Sequence, residues 1–168
     1  MSKVYLALYK GRKSGRGLNV AAARFADWVI RTITRSPHSH CEIAVVDEVN
    51  QYPPHITCAD NTPAPTVYAC YSSSFRDGGV RRKLMPLPPE KWDFIELPEN
   101  AAAAAQELYG YTVTKGYDII GMLAVLFCNI HSKSRWFCSE WCAQALGLPD
   151  PHNYTPAGLA REVTRNKR

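Results

Sequence analysis

Ser39-His40-Cys41-Glu42 and Trp136-Phe137-Cys138-Ser139-Glu140, nearly a hundred residues apart, contain the residue types of thiol catalysis. An imidazole that takes the proton of a thiol makes a nucleophile able to add to an amide or ester carbonyl. Cys138 opens a segment with helical character, and the partial positive charge and free N–H groups of a helix start favour thiolate over thiol. His40 opens an apolar run that reads as a strand. Side chains alternate along a strand, so His40 and Glu42 share one face about 7 Å apart, with Cys41 and Ile43 on the other. A carboxylate beside an imidazole raises its basicity and fixes its tautomer, which makes Glu42 the expected third member of a Cys138–His40–Glu42 site.

Other residues qualify for lesser roles. Tyr71-Ser72-Ser73-Ser74 followed by Arg76-Asp77-Gly78-Gly79-Val80-Arg81 reads as a polar strand end and turn. There the hydroxyls of Ser72 and Ser73 can line a cleft, and Arg76 can hold a carboxylate or phosphate. The alternative is an ordinary hairpin with solvated charges. Tyr117 joins Ser72, Ser73 and Arg76 as an expected substrate contact. Cys128, His131, Cys138 and Cys142 form the rival, a zinc site, but the spacing is looser than zinc knuckles use and leaves His40 and Glu42 unexplained. Neither a metal nor an organic cofactor is expected. Cys41, Cys58, Cys70, Cys128 and Cys142 read as small core residues.

The elements that must position these groups follow from periodicity and punctuation. Val4 to Tyr9 reads as a strand, and a basic, glycine-containing loop leads to a helix that Asn19 can cap. Its apolar positions Phe25, Trp28, Val29 and Ile33 recur at helical steps and define the expected core side, with Arg24, Arg31 and Arg35 opposite. Ser36-Pro37 ends it. His40 to Asp47 is the second strand, the proline-rich stretch 48–65 an inserted loop, Thr66 to Ser73 the third strand. Val80 to Leu87 pairs back after the Asp77-Gly78-Gly79 turn, and Trp92 to Leu97 is a further strand. A helix from Pro98-Glu99 to about Tyr109 closes on Gly110, a nearly all-apolar one runs from Gly116 to about Asn129, and a third spans Cys138 to Leu146 with Gly147 as its cap. Thr155-Pro156 opens a last helix before a frayed basic tail. This is an α+β pattern, an antiparallel sheet with helices against it.

The 168 residues suit one domain with a genuine core, and 46% apolar with 21% charged residues is a globular composition. Much of the net charge of +5 lies near the ends, in Lys10, Arg12, Lys13 and Arg16, then Arg161, Arg165, Lys167 and Arg168. These read as solvated segments; a patch for an anionic polymer, lipid headgroups or nucleic acid is the alternative. Aromatic residues do not interleave them in sequence, so no nucleic-acid partner is expected. Six dispersed cysteines do not make a disulfide scaffold, the N-terminus does not read as an export leader, and no stretch reads as a transmembrane segment. The expected location is a reducing cytoplasm.

The order Ser39-His40-Cys41-Glu42-Ile43, then Tyr117-Asp118-Ile119-Ile120-Gly121, then Phe137-Cys138-Ser139-Glu140 resembles the circularly permuted branch of the NlpC-type papain-like superfamily. That branch includes the YiiX-like and lecithin:retinol acyltransferase-like proteins, and in it the histidine strand precedes the cysteine helix. The likeness is closest to small phage and prophage proteins of this group, and it spans Tyr5 to about Leu159. It implies a papain-like α+β fold with Cys138 as nucleophile and His40 as base. The third polar group often lies on the next strand, so Glu42 departs in detail, and Gln51 and His55 fall where some relatives place it. A peptide or acyl substrate is implied, with cell-wall muropeptides leading and lipid or thioester acyl chemistry second; virion association would follow from a phage origin. A phage structural or interaction module without turnover is the non-enzymatic alternative.

Overall fold

The computed structural model describes residues 2–12, 15–49, 65–117 and 135–167. Its centre is an antiparallel sheet of five long strands: β1 (Val4–Tyr9), β2 (His40–Val46), β3 (Val67–Ser74), β4 (Gly79–Pro86) and β5 (Trp92–Leu97). Two short strands, β6 (Gly116–Tyr117) and β7 (Arg135–Trp136), extend the sheet past β4, so its order is β5-β1-β2-β3-β4-β6-β7. Four helices accompany it among the described residues: α1 (Leu18–Thr34), α2 (Asn100–Thr112), α3 (Cys138–Ala145) and α4 (Pro156–Arg165). The expected α+β architecture is therefore present.

Alternation along the strands builds two apolar layers. Val4, Leu6 and Leu8 of β1, with Cys41 and Ile43 of β2, face α2, α3 and α4 and form the main core with Trp141, Cys142 and Leu159. The opposite face carries Ala7, Ala44, Cys70, Leu87 and Trp92, flanked by Tyr9, Tyr68 and Phe94. Glu42 shares that second face by strand parity and is 1% exposed.

Helix α3 is short and almost wholly buried; only Gln144 of its residues faces solvent. Its end is a Schellman turn, with Gly147 at φ +65° and the Leu148 N–H donating to Ala143 O at 3.0 Å. Trp141, fully buried, donates its indole N–H to Thr112 Oγ1 at 2.9 Å and so fastens α3 to α2. Thr155 caps α4 by accepting from the Gly158 N–H, and Pro156 fills the first helical position.

Several expectations change. Helix α1 begins after Gly17 rather than at an Asn19 cap, and it turns Phe25, Trp28 and Ile33 outward. What it buries is Ile30 and Asp27, while Arg31 anchors its inner side to Gly11 O at 2.7 Å and Ser39 Oγ at 3.1 Å. A polar anchor, and not the widest apolar stripe, sets which side faces in. Gly110 does not close α2, which continues to Thr112, where the hydroxyl meets Trp141. Gly116 and Tyr117 form a strand rather than a helix start, because Gly116 pairs with Gly79 of β4. Arg161 and Arg165 lie on α4 and not in a frayed tail. The rest of the expected 116–129 helix lies outside the described residues, as do positions 50–64 of the loop with Gln51, His55 and Cys58.

Candidate active site

The ladder between β2 and β3 starts only at Ile43, although β2 stays paired with β1 back to His40, opposite Tyr9. The Cys41 carbonyl is thus outside the β3 ladder, and side chains take it instead: Ser72 Oγ donates at 2.8 Å and Cys142 Sγ at 3.8 Å. At this end of the sheet the first residue of α3 meets the first residues of β2. Cys138 is 3% exposed. Its sulfur lies close enough to His40 and Cys41 for both to act on its ionisation.

His40 is held from its other side. Its Nε2 lies 3.1 Å from Glu42 Oε1, and the Trp92 ring meets the imidazole edge-on at 6.4 Å between centroids. Glu42 in turn receives a two-pronged contact from Arg81, with Nη2 at 2.7 Å from Oε1 and Nη1 at 3.3 Å from Oε2. Arg81 Nε donates to Asp77 Oδ2 at 2.7 Å. A line of alternating charge-bearing groups therefore runs Cys138, His40, Glu42, Arg81, Asp77.

The electrostatics follow from that line. Burial alone would lower the His40 pKa, but a Cys138 thiolate and the Glu42 carboxylate hold the imidazolium up, to about 10. The Cys138 thiol sits well below its ordinary range because the Cys41 thiol donates to it and His40 carries positive charge, against the opposing effect of burial. Cys41 is driven the other way, chiefly by burial, so it stays a thiol and keeps its proton to donate. Burial would raise Glu42, yet the His40 hydrogen bond and the Arg81 guanidinium keep its carboxyl below the usual range. These shifts favour a thiolate and an imidazolium over the neutral pair.

Of the residues picked out in the sequence, His40, Glu42 and Cys138 come together. Ser72 and Ser73 are fully buried and have inward tasks. Ser72 holds the carbonyl of Cys41, between the histidine and the glutamate, and Ser73 Oγ donates at 2.7 Å to Trp136 O, two residues before Cys138. Neighbouring serines of β3 thus brace both halves of the site, and neither turns its hydroxyl to solvent. Arg76 is exposed on the 3-10 turn Phe75–Asp77, near enough for its charge to act on Tyr9 beside His40. The backbone of Tyr117 lies in β6, and its side chain lies outside what the structure describes. So do Cys128 and His131 of the zinc reading; among the described residues no group of three or more His, Cys, Asp or Glu is placed to hold a metal.

Arg81 and Asp77 are the participants sequence reasoning passed over. Both stand in the Arg76-Asp77-Gly78-Gly79-Val80-Arg81 stretch, where an arginine after a turn reads as solvated. The signal was the hairpin register, which sets Arg81 opposite Ser72 and points it at β2. Comparisons of the chain with protein-family models, with curated proteins and with solved structures found no match.

Proposed function

We propose that this protein is a cysteine hydrolase that opens an amide or ester bond through an acyl-enzyme on Cys138. The observation that carries the reading is the buried Cys138 thiol beside His40, each favouring the charged form of the other, with His40 held on its far side by the Glu42–Arg81 pair. With Nε2 engaged by Glu42, Nδ1 is the nitrogen left to exchange a proton with sulfur. The thiolate adds to the carbonyl carbon, and the oxyanion forms beside the first N–H groups of α3, which have no partner inside the helix. The His40 imidazolium gives its proton to the leaving nitrogen or oxygen, the scissile bond breaks, and a thioester remains. Water, losing a proton to His40, adds to the thioester and releases the acid and the thiolate.

A histidine strand that precedes a cysteine helix in the chain, packed as described, supports a papain-like fold of the permuted NlpC type. On that resemblance, peptide bonds of bacterial cell wall are the leading substrate class. The test is to mix the protein with muropeptides, and separately with a short acyl thioester, quench in acid and weigh it intact. An acyl adduct on Cys138 with release of the amine or thiol is expected, absent in Cys138→Ala. No adduct and no turnover with either substrate, from a chain whose Cys138 alkylates no faster than an ordinary thiol, would overturn the proposal.

A further inference from the structure

Positions 10–39 concentrate positive charge to a degree the whole chain does not. Seven Lys or Arg stand there against the single Asp27, a net +6 in a chain whose total is +5. Asp27 is 7% exposed, so no carboxylate of this segment faces solvent. Arg12, Arg16, Arg24 and Arg35 are all exposed.

Into this basic field α1 turns its apolar side. Phe25 is 65% exposed, Trp28 61% and Ile33 40%, and the Phe25 and Trp28 rings lie against each other at 5.9 Å. At about 100° per residue, Arg24, Arg35, Trp28, Phe25, Val29 and Ile33 share one outer arc, with Ile30 and Asp27 opposite. The sequence order hid this association of aromatic and basic groups, because the helix rather than the chain brings them together. Beside Trp28 opens a cleft of about 380 Å³ lined by Gly11, Arg12, Arg24, Asp27 and Arg31. Arg31 Nε is buried there with no hydrogen-bond partner among the described residues.

We infer that α1, with Arg12 and Arg16 before it, docks the protein on an anionic phospholipid bilayer. Phe25, Trp28 and Ile33 enter the boundary between headgroups and acyl chains, and the arginine-lined cleft takes a lipid phosphate. Charge selects an anionic partner, and the aliphatic Ile33 and Val29 select a bilayer over a soluble polyanion, which would leave them in water. Aromatic rings flanked by arginines on one helix arc match the composition of an interfacial helix. Arg31 bonds both Gly11 O and Ser39 Oγ, so the docking face is tied to the residue just before His40. The inference stands apart from the thiol chemistry.

The test is flotation of the full chain with phosphatidylcholine vesicles, with and without phosphatidylglycerol, at low and high salt. Binding that needs phosphatidylglycerol is expected, falling about tenfold or more in the Phe25→Ser/Trp28→Ser double variant. Arg12→Glu with Arg16→Glu, both exposed positions, should also release the protein while leaving its melting curve in place. Equal binding to neutral vesicles, or binding untouched by the aromatic variant, would overturn the inference. So would full competition by inorganic phosphate without any effect of the aromatic variant, which would leave a phosphate site alone. A concentration-dependent dimer that the aromatic variant abolishes would assign the face to a second copy. Resistance of Trp28 to acrylamide quenching without vesicles would show that the chain itself covers it.

Discussion

Replacing Arg81 with leucine isolates the least exposed charge of the site. Glu42 is 1% exposed and Arg81 14%, so water cannot take over the carboxylate when the guanidinium goes. Removing one partner of such a buried pair costs about 3–5 kcal/mol. In a chain of this size each kcal/mol moves the melting temperature by about 2–4 °C, which puts the expected fall at about 6–20 °C near neutral pH. The pH dependence identifies the cause. In the native protein the Glu42 carboxyl lies below its ordinary 4.5, so its stabilising contribution is full above that value and fades as pH drops through the lower folded one. Without Arg81 only His40 opposes burial, so the folded carboxyl rises from its native value. The deficit of Arg81→Leu is then largest at neutral pH and shrinks as acid protonates Glu42. Glu42→Gln added to Arg81→Leu should restore most of the loss, because the buried carboxylate that lost its guanidinium is gone. Thermal unfolding of the four proteins of this cycle, followed by circular dichroism near neutral and near acid pH, measures all of it. A deficit under about 1 kcal/mol, or one that does not change with pH, or a double variant no better than Arg81→Leu, would refute the placement of a charged Glu42–Arg81 pair.

Cys138 should alkylate with iodoacetamide well below the ordinary thiol value of 9.0, at a rate that stays level until His40 loses its proton near pH 10. His40→Ala should return the thiol to a higher pKa and cut the rate near pH 6 by about tenfold or more, read by peptide mass mapping; uniform slow labelling of all the cysteines would contradict this. Ser73→Ala leaves the Trp136 carbonyl without its donor, at a cost of about 1–3 kcal/mol in unfolding free energy. Because that carbonyl lies two residues before Cys138, the variant should also alkylate more slowly, and an unchanged rate would mean that Ser73 only stabilises the fold.

The strands were legible because their residues repeat every second position and end at glycine or proline: Trp92–Leu97 was read to its exact ends, and Val4–Tyr9 likewise. Cys138, His40 and Glu42 were legible because strand parity and a helix start place side chains without knowledge of the rest of the fold. What failed was information that lives in long-range pairing. Gly116 carries no local sign of being a strand; it is one because Gly79 lies across from it. Ser72 and Ser73 have the polarity of cleft residues, and only the gap in the β2–β3 ladder shows that backbone carbonyls need them. Helix α1 was found and its facing was not, since a 3.6-residue repeat reports an apolar stripe without reporting what covers it. Gly110 sits inside α2 at a cost of about 1 kcal/mol relative to alanine, and the helix continues because one more turn brings Thr112 to the Trp141 indole.

The arrangement of charges explains how a buried Cys138 thiol can be held below its ordinary pKa. A thiolate in a core is expensive to desolvate, and a lone imidazolium beside it would be equally so. Here the two neutralise each other, and the cation is flanked by a second anion, Glu42, which is itself flanked by Arg81. The series ends on Asp77, one-third exposed, where water takes over. Each interior ion thus has an opposite charge on both sides, and the series begins at Cys138. The two faces of the sheet divide the work: the helix side supplies the sulfur and the opposite side supplies the counter-charges. His40, at the very start of β2, is where the two meet. A substitution at any link should therefore shift the titration of Cys138 through its neighbours, and the effects of paired substitutions along the line should fall short of their sum.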